Sequence, residues 1–176
     1  KLDFFIDSGV VIGYSDTGDE KFHDPCKEFI RKFPPKENGY HSIKYIVNEE
    51  IRSTEKKRLE QRKKNALKLF PQRAKIFCDL INDVANKSHL SFDTLFKQIH
   101  DYLIAVRTDL KRKEHDAKLL TSAFIWAYED GTLQNPHFIT TDWTDICKNK
   151  PKLYSFVTSC LPKNCLKISF VIDCVS

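Results

Sequence analysis

Two short apolar stretches of this 176-residue chain run into an acid. One is Phe4-Phe5-Ile6-Asp7-Ser8, inside the run FFIDSGVVIGY, and the other is Phe138-Ile139-Thr140-Thr141-Asp142. A carboxylate buried without a partner is costly or is forced neutral. Each aspartate escapes that penalty if it emerges at the end of a strand. Ligands of open α/β sheets sit beyond the carboxyl ends of the strands. The two acids therefore share a neighbourhood if their strands are adjacent. Massed carboxylates repel and raise one another's pKa. A divalent cation removes that repulsion, and Mg2+ takes few protein oxygens alongside waters and substrate phosphates. The chemistry this points to is metal-assisted cleavage of a phosphodiester.

Other acids sit within apolar helical patterns. Glu50 follows Ile46 and Val47 by about one turn and directly precedes Ile51, with Glu49 beside it. Asp116 opens DAKLLTSAFIWA, one turn before Leu119 and Leu120. Asp116 can equally cap its helix or answer the helix dipole. Glu50, taken alone, reads better as a solvated or salt-bridged position. Asp145 follows Asp142 by three positions. Ser8 and Thr140 carry hydroxyls able to bond a carboxylate and fix its rotamer.

Elements must hold these groups. With 41% hydrophobic and 30% charged residues, the chain has material for a core and reads as one folded domain, 1–176. Short apolar strands at Leu2–Ile6, His137–Thr140 and Leu166–Asp173 alternate with helical patterns. That order predicts a three-layer α/β/α fold with a central, mostly parallel sheet. Val10–Tyr14 is either a short helix or a strand exit. Asp24-Pro25 reads as a helix start, and Lys36–Tyr40 as a loop. Ser42 is expected to cap a helix continuing through the basic run to Phe70. Further helices are expected over 72–87, from Ser91, and from Lys111 to a stop near Gly131. Residues 55–110 form a helical elaboration between the second and third acidic segments.

The net charge is +5. Lys56, Lys57, Arg58, Arg62, Lys63 and Lys64 form one basic run, and Lys111, Arg112 and Lys113 a second, with Arg52 near Glu50. These suit either a polyanionic partner or a solvated helix face. Trp143, beside Asp142, can stack on a base or simply pack. The six cysteines read as free thiols. No apolar run reaches the ~18 residues of a membrane span, and no secretory leader is read, so a cytoplasmic protein without a membrane is expected.

Taken together, these segments resemble the PIN domain, a family of metal-dependent nucleases. The matching motifs are Asp7-Ser8-Gly9-Val10-Val11-Ile12, Val47-Asn48-Glu49-Glu50-Ile51, Asp116-Ala117-Lys118-Leu119-Leu120, and Phe138-Ile139-Thr140-Thr141-Asp142-Trp143-Thr144-Asp145. Gly9 stands where the family commonly has Asn. The resemblance implies an endoribonuclease with Mg2+ or Mn2+ held by Asp7, Asp116 and Asp142, directly or through waters. Glu50 completes the cluster or orients a water, with Glu49 as the alternative, and Asp145 is an auxiliary ligand. It also implies an RNA substrate met by the basic runs. Many members are toxins paired with an antitoxin protein, and many dimerise, so both partners are expected here. A PIN-like module that binds RNA without turnover is the other reading. An aspartyl-phosphate mechanism at Asp7 fits less well, because Gly9 occupies the position where a second acid is needed.

Overall fold

The computed structural model describes residues 1–70, 92–106, 110–129, 133–161 and 165–176. Four strands, β1 (Asp3–Ile6), β2 (Gly39–His41), β3 (His137–Thr140) and β4 (Lys167–Phe170), form one sheet in the order β2-β1-β3-β4. Every pairing is parallel. The described helices are α1 (Ser8–Ser15), α2 (His23–Lys32), α3 (Lys44–Glu50), α4 (Lys56–Leu69), α5 (Phe92–Val106), α6 (Leu110–Glu129), α7 (Lys150–Cys160) and α8 (Val171–Val175). A short 3-10 turn, Cys147–Asn149, precedes α7. None of the described helices is long and apolar enough to cross a membrane.

Side chains alternate along each strand and enter two separate cores. Phe5, Phe138 and Ile168 pack on one face with Leu95 of α5 and Leu120 and Phe124 of α6. Phe4, Ile6, Tyr40 and Ile139 pack on the other with Val10 of α1 and Phe29 of α2. Phe5 lies 5.6 Å from the Trp126 ring, and Phe4 meets Phe29 edge-on at 5.2 Å. Burial on both faces is why β1 is apolar at nearly every position. It also gives the expected layering, with helices above and below a parallel sheet.

Several boundaries differ from expectation, each for a local reason. Gly39 and Tyr40 belong to β2, not to a loop. The strand is three residues long and only Tyr40 is buried, so it carries no periodic signal. Tyr40 Oη donates to the Phe33 carbonyl at 2.7 Å, which ties the end of α2 to this edge strand. Val10–Tyr14 is helical, as part of α1. Helix α2 starts at His23, one residue before Asp24. Asp19 sets the turn early, its Oδ1 accepting from the Lys21 and Phe22 amides at 3.1 Å each. Ser42 is not a cap. Ile43 holds that position, and the buried Ser42 hydroxyl has no hydrogen-bond partner among the described residues. The strand expected to reach Asp173 stops at Phe170, where its neighbour β3 also ends, and the chain turns into α8. Without a partner strand, the next backbone groups bond among themselves. The helix expected over 72–87 and the stop at Gly131 lie outside the described residues.

The expected helix from Ser42 to Phe70 is instead two helices, α3 and α4, broken at residues 51–55. Arg62 explains the break. Its guanidinium donates to the carbonyls of Ile51 and Arg52 at 3.1 and 3.0 Å, the groups α3 leaves open at its end. It also makes a two-pronged pair with Asp16, just past α1, at 3.0 and 2.5 Å. One buried side chain thus joins α1, α3 and α4. Removing a partner from a buried pair leaves the other charge stranded. Arg62→Ala is expected to lower the unfolding free energy by about 3–5 kcal/mol. Arg58→Ala, at an exposed pair with Glu55, is expected to cost under about 1 kcal/mol. Urea denaturation of the two variants checks the contrast.

Candidate functional site

The site grows from the register of β1 on β3. Phe5 pairs with Phe138 and Ile6 with Ile139, and the Asp7 amide donates to the Ile139 carbonyl at 2.9 Å. Asp7 therefore leaves its strand beside Thr140. It occupies the N-cap position of α1, yet its side chain makes no cap hydrogen bond. Instead the Thr140 hydroxyl donates to Asp7 Oδ2 at 2.6 Å. Thr140 Oγ1 in turn accepts from the Asp142 amide at 2.9 Å. Asp142 Oδ1 accepts from the Asp145 amide at 2.9 Å. A chain of hydrogen bonds thus runs from the end of β1 through the loop after β3. Thr140 thus bonds the Asp7 carboxylate directly.

Helix α6 supplies the other half. Lys113 and Asp116, three residues apart, share one helix face, and Lys113 Nζ lies 3.2 Å from Asp116 Oδ2. The same ammonium pairs with Asp145 Oδ2, across from the loop after β3. Lys113 is 1% exposed. Its reading as an RNA contact is therefore corrected: the side chain is buried among carboxylates and cannot reach solvent phosphate. Sequence spacing did carry a signal for this, because residues three apart on a helix are neighbours.

The second acidic segment resolves between its two glutamates. The Ser8 hydroxyl donates to Glu50 Oε1 at 3.3 Å, beside Asp7. Glu49 pairs with Arg52 at 2.5 Å on the surface instead. Glu50 is thus the glutamate turned toward the end of β1.

Asp7 bears the electrostatic strain. Burial pushes its carboxyl up to about 7, helped by the negative charge of Asp116 and then of Asp142. The Thr140 hydroxyl pulls the other way, as does the nearby Gly9 amide, although that amide does not complete a cap bond. For Lys113, burial alone would disfavour the charge. The hydrogen bonds and charges of Asp145 and Asp116 outweigh it and hold the ammonium above its ordinary range.

Among the described residues, no three His, Cys, Asp or Glu side chains form a ready-made metal cage. The donor chemistry nevertheless suits a hard cation. Asp7 is 6% exposed and carries negative charge that Asp116 and Asp142 aggravate. Mg2+ is usually held by one or two carboxylates plus waters and phosphate oxygens. Asp7 and Asp142 are carboxylates of that type, while Asp116 pairs with Lys113 and its charge acts on Asp7.

Gly9 has a steric reason. A Cβ there would lie 2.1 Å from Thr141 Oγ1 and 3.4 Å from Thr141 Cβ. The start of α1 thus lies against the loop after β3, and a side chain at this position requires the Thr141 hydroxyl to move.

The basic residues divide. Lys56, Lys57, Arg58, Lys63 and Lys64 are exposed on α4, and Arg52 is exposed just before it. Arg62 is buried and committed to Asp16, so its reading as an RNA contact is also corrected. Lys111 and Arg112 lie in the first turn of α6, and their side chains are outside the described set. Trp143 both packs and shows: it is 46% exposed and its ring lies 5.4 Å from Phe170. Comparisons with protein-family models, with curated proteins and with solved structures give no match for this chain.

Two outcomes follow from this geometry. Folding takes up a proton at Asp7 wherever the folded carboxyl is neutral and the unfolded one ionised. Stability therefore falls as pH rises from about 4 to about 7 and then levels off. Asp7→Asn removes that loss. It should be more stable than the parent at pH 8, by on the order of 2–4 kcal/mol, with the gap closing toward pH 4. Denaturant midpoints across this range would show it, and a gap that widens on acidification would refute the assignment. Gly9→Ala should cost about 1–3 kcal/mol through overpacking. Adding Thr141→Ala should recover most of that, a non-additivity that thermal melts of the double-mutant cycle can read.

Proposed function

We propose that this protein is a PIN-like, metal-dependent endoribonuclease that hydrolyses RNA phosphodiester bonds. The observation that carries the reading is Asp7. It is a carboxyl at the carboxyl end of a central parallel strand, pushed up first by burial and then by Asp116 and Asp142, and held by Thr140. A site that gathers like charge out of water has a use for a cation. A bound Mg2+ or Mn2+ would supply a hydroxide at neutral pH and neutralise developing charge on phosphorus. Asp7, Asp142 and Asp116 are the side chains that would hold it. Thr140 keeps Asp7 in its rotamer, and the Asp145 amide does the same for Asp142. Glu50, steadied by the Ser8 hydroxyl, is placed to orient a water. The exposed lysines of α4 offer charge to the substrate backbone.

A second reading has its own support. Lys113 already answers Asp116 and Asp145 without any metal. A module that binds RNA and does not turn over would tolerate such an arrangement.

Incubation of the purified chain with labelled single-stranded RNA separates the two. Under the nuclease reading, Mn2+ supports internal cleavage, EDTA abolishes it, and Asp7→Asn and Asp142→Asn each reduce it at least about 100-fold. Metal affinity should also rise as pH passes through 7, because the ligands must be deprotonated. Under the binding reading, RNA binds equally with EDTA and binding weakens steeply with salt. Absence of Mn2+-dependent cleavage, with Asp7→Asn behaving like the parent, would exclude the nuclease.

A further inference from the structure

We infer that the outer face of α4 is a docking surface for the backbone of single-stranded RNA, set apart from the carboxylate edge of the sheet and working without metal. This rests on the RNA reading above, in either its cleaving or its binding form.

Helix α4 has a buried side and an open side. Arg62 and Leu69 are buried. At about 100° per residue, Lys56, Lys57, Lys63 and Lys64 fall within an arc of about 120° centred opposite those two. All four are exposed. Among the described residues, α4 forms ion pairs through Arg58 with Glu55 and through Arg62 with Asp16, and the four lysines form none. Glu60 is the one acid within the arc. Like charge crowded on one helix face is destabilising. A polyanion relieves it and gains further by releasing its own counterions. Lys56 and Lys64 stand about 12 Å apart along the helix axis. Over that length a stacked strand presents about four phosphates, at about 3.4 Å each. Four unpaired ammonium groups thus meet about four phosphates.

The surface is fixed in place from behind. Arg62 pairs with Asp16, and Asn65 Nδ2 donates to Ser15 Oγ at 3.0 Å. Both contacts attach α4 to the end of α1 farthest from Asp7. Helix α1 has eight residues, a length of about 12 Å. The lysines therefore engage backbone that lies away from the carboxylates, whose charge would repel it. Leu67, 73% exposed, lies on the same face. Basic helices that settle on anionic membranes do so through a broad apolar side. One leucine offers too little apolar area for that, so the charge and its spacing favour a strand of phosphates.

The salt dependence of binding tests this. A fluorescein-labelled oligouridine is titrated with the full chain in EDTA, and anisotropy is followed across salt concentrations. The parent should bind. Replacing Lys56, Lys57, Lys63 and Lys64 together by Gln should flatten the slope of log K against log salt by about 3, at about 0.7 per phosphate. At low salt the same variant should bind at least about 30-fold more weakly. Replacing the four by Arg should keep the parent's slope. So should replacing Lys27, Lys36, Lys152 and Lys167 by Gln, which removes the same charge from other exposed positions. If the fourfold Gln variant does not fold, Lys63→Gln and Lys64→Gln should each flatten the slope by about 0.7. An unchanged slope in the α4 variants, or an equal loss in the control, would overturn the inference. So would a parent that ignores RNA in EDTA yet binds phosphatidylserine vesicles. A parent that binds no RNA in EDTA but cleaves it with Mn2+ would overturn the docking surface and leave the nuclease standing. Neither binding nor cleavage would overturn both.

Discussion

Gathering like charge out of water is the constraint to which the rest of this structure answers. Asp7 and Thr140 leave adjacent parallel strands at the same edge, and Asp142 follows two residues later. Asp116 and Asp145 come to that edge from α6 and from the loop after β3. Each carboxylate brought here raises the cost of the others. Three devices offset it: the Thr140 hydroxyl on Asp7, backbone amides on the loop after β3, and the Lys113 ammonium between Asp116 and Asp145. What they leave unanswered is concentrated at Asp7. That residue forgoes the capping role its position on α1 offers, and its carboxyl is held toward neutrality instead. A protein that keeps such a group has accepted lower stability for it, as functional sites commonly do.

The scaffold around the edge is packed on both sides. Both faces of the sheet are buried, so neither β1 nor β3 can slip by one residue without turning its phenylalanines and isoleucines into the wrong core. Arg62 holds α1, α3 and α4 together through Asp16 and two open carbonyls. Because α1 begins at Ser8 and α3 ends at Glu50, this junction also keeps those two residues within reach of each other. Gly9 lets the start of α1 lie close against Thr141 in the loop after β3. The site is thus supported by contacts made mostly outside it.

Two buried cations, Lys113 and Arg62, belong to runs that look alike in sequence and serve different ends. Neither is part of an open basic face. Arg62 is structural, and Lys113 enters the carboxylate cluster. The exposed charge of α4 lies on the residues around Arg62, so one helix carries both an anchor and a surface able to meet a polyanion. A charge run in a sequence therefore says little about which members are solvated. Burial of the neighbours decides it.

The sequence by itself determined the strands β1 and β3, the helices α5 and α6, and the acids at their ends, because apolar periodicity is strong there and an acid in an apolar run stands out. It also singled out Asp7, Glu50, Asp116, Asp142 and Asp145, and the hydroxyls of Ser8 and Thr140. Tertiary structure alone decided the rest. β2 is three residues long and exists only because β1 offers a free edge. α3 and α4 part where Arg62 reaches the carbonyls of Ile51 and Arg52, a contact eleven and ten positions back that no local pattern encodes. β4 ends at Phe170 because β3 ends beside it. The sequence already preferred Glu50 to Glu49; what folding adds is the hydrogen bond that Glu50 accepts from Ser8. Lys113 changed meaning most, from a surface charge to a buried partner of two acids. Its spacing to Asp116 was visible, but Asp145 lies 32 positions away, and only folding brings the three together.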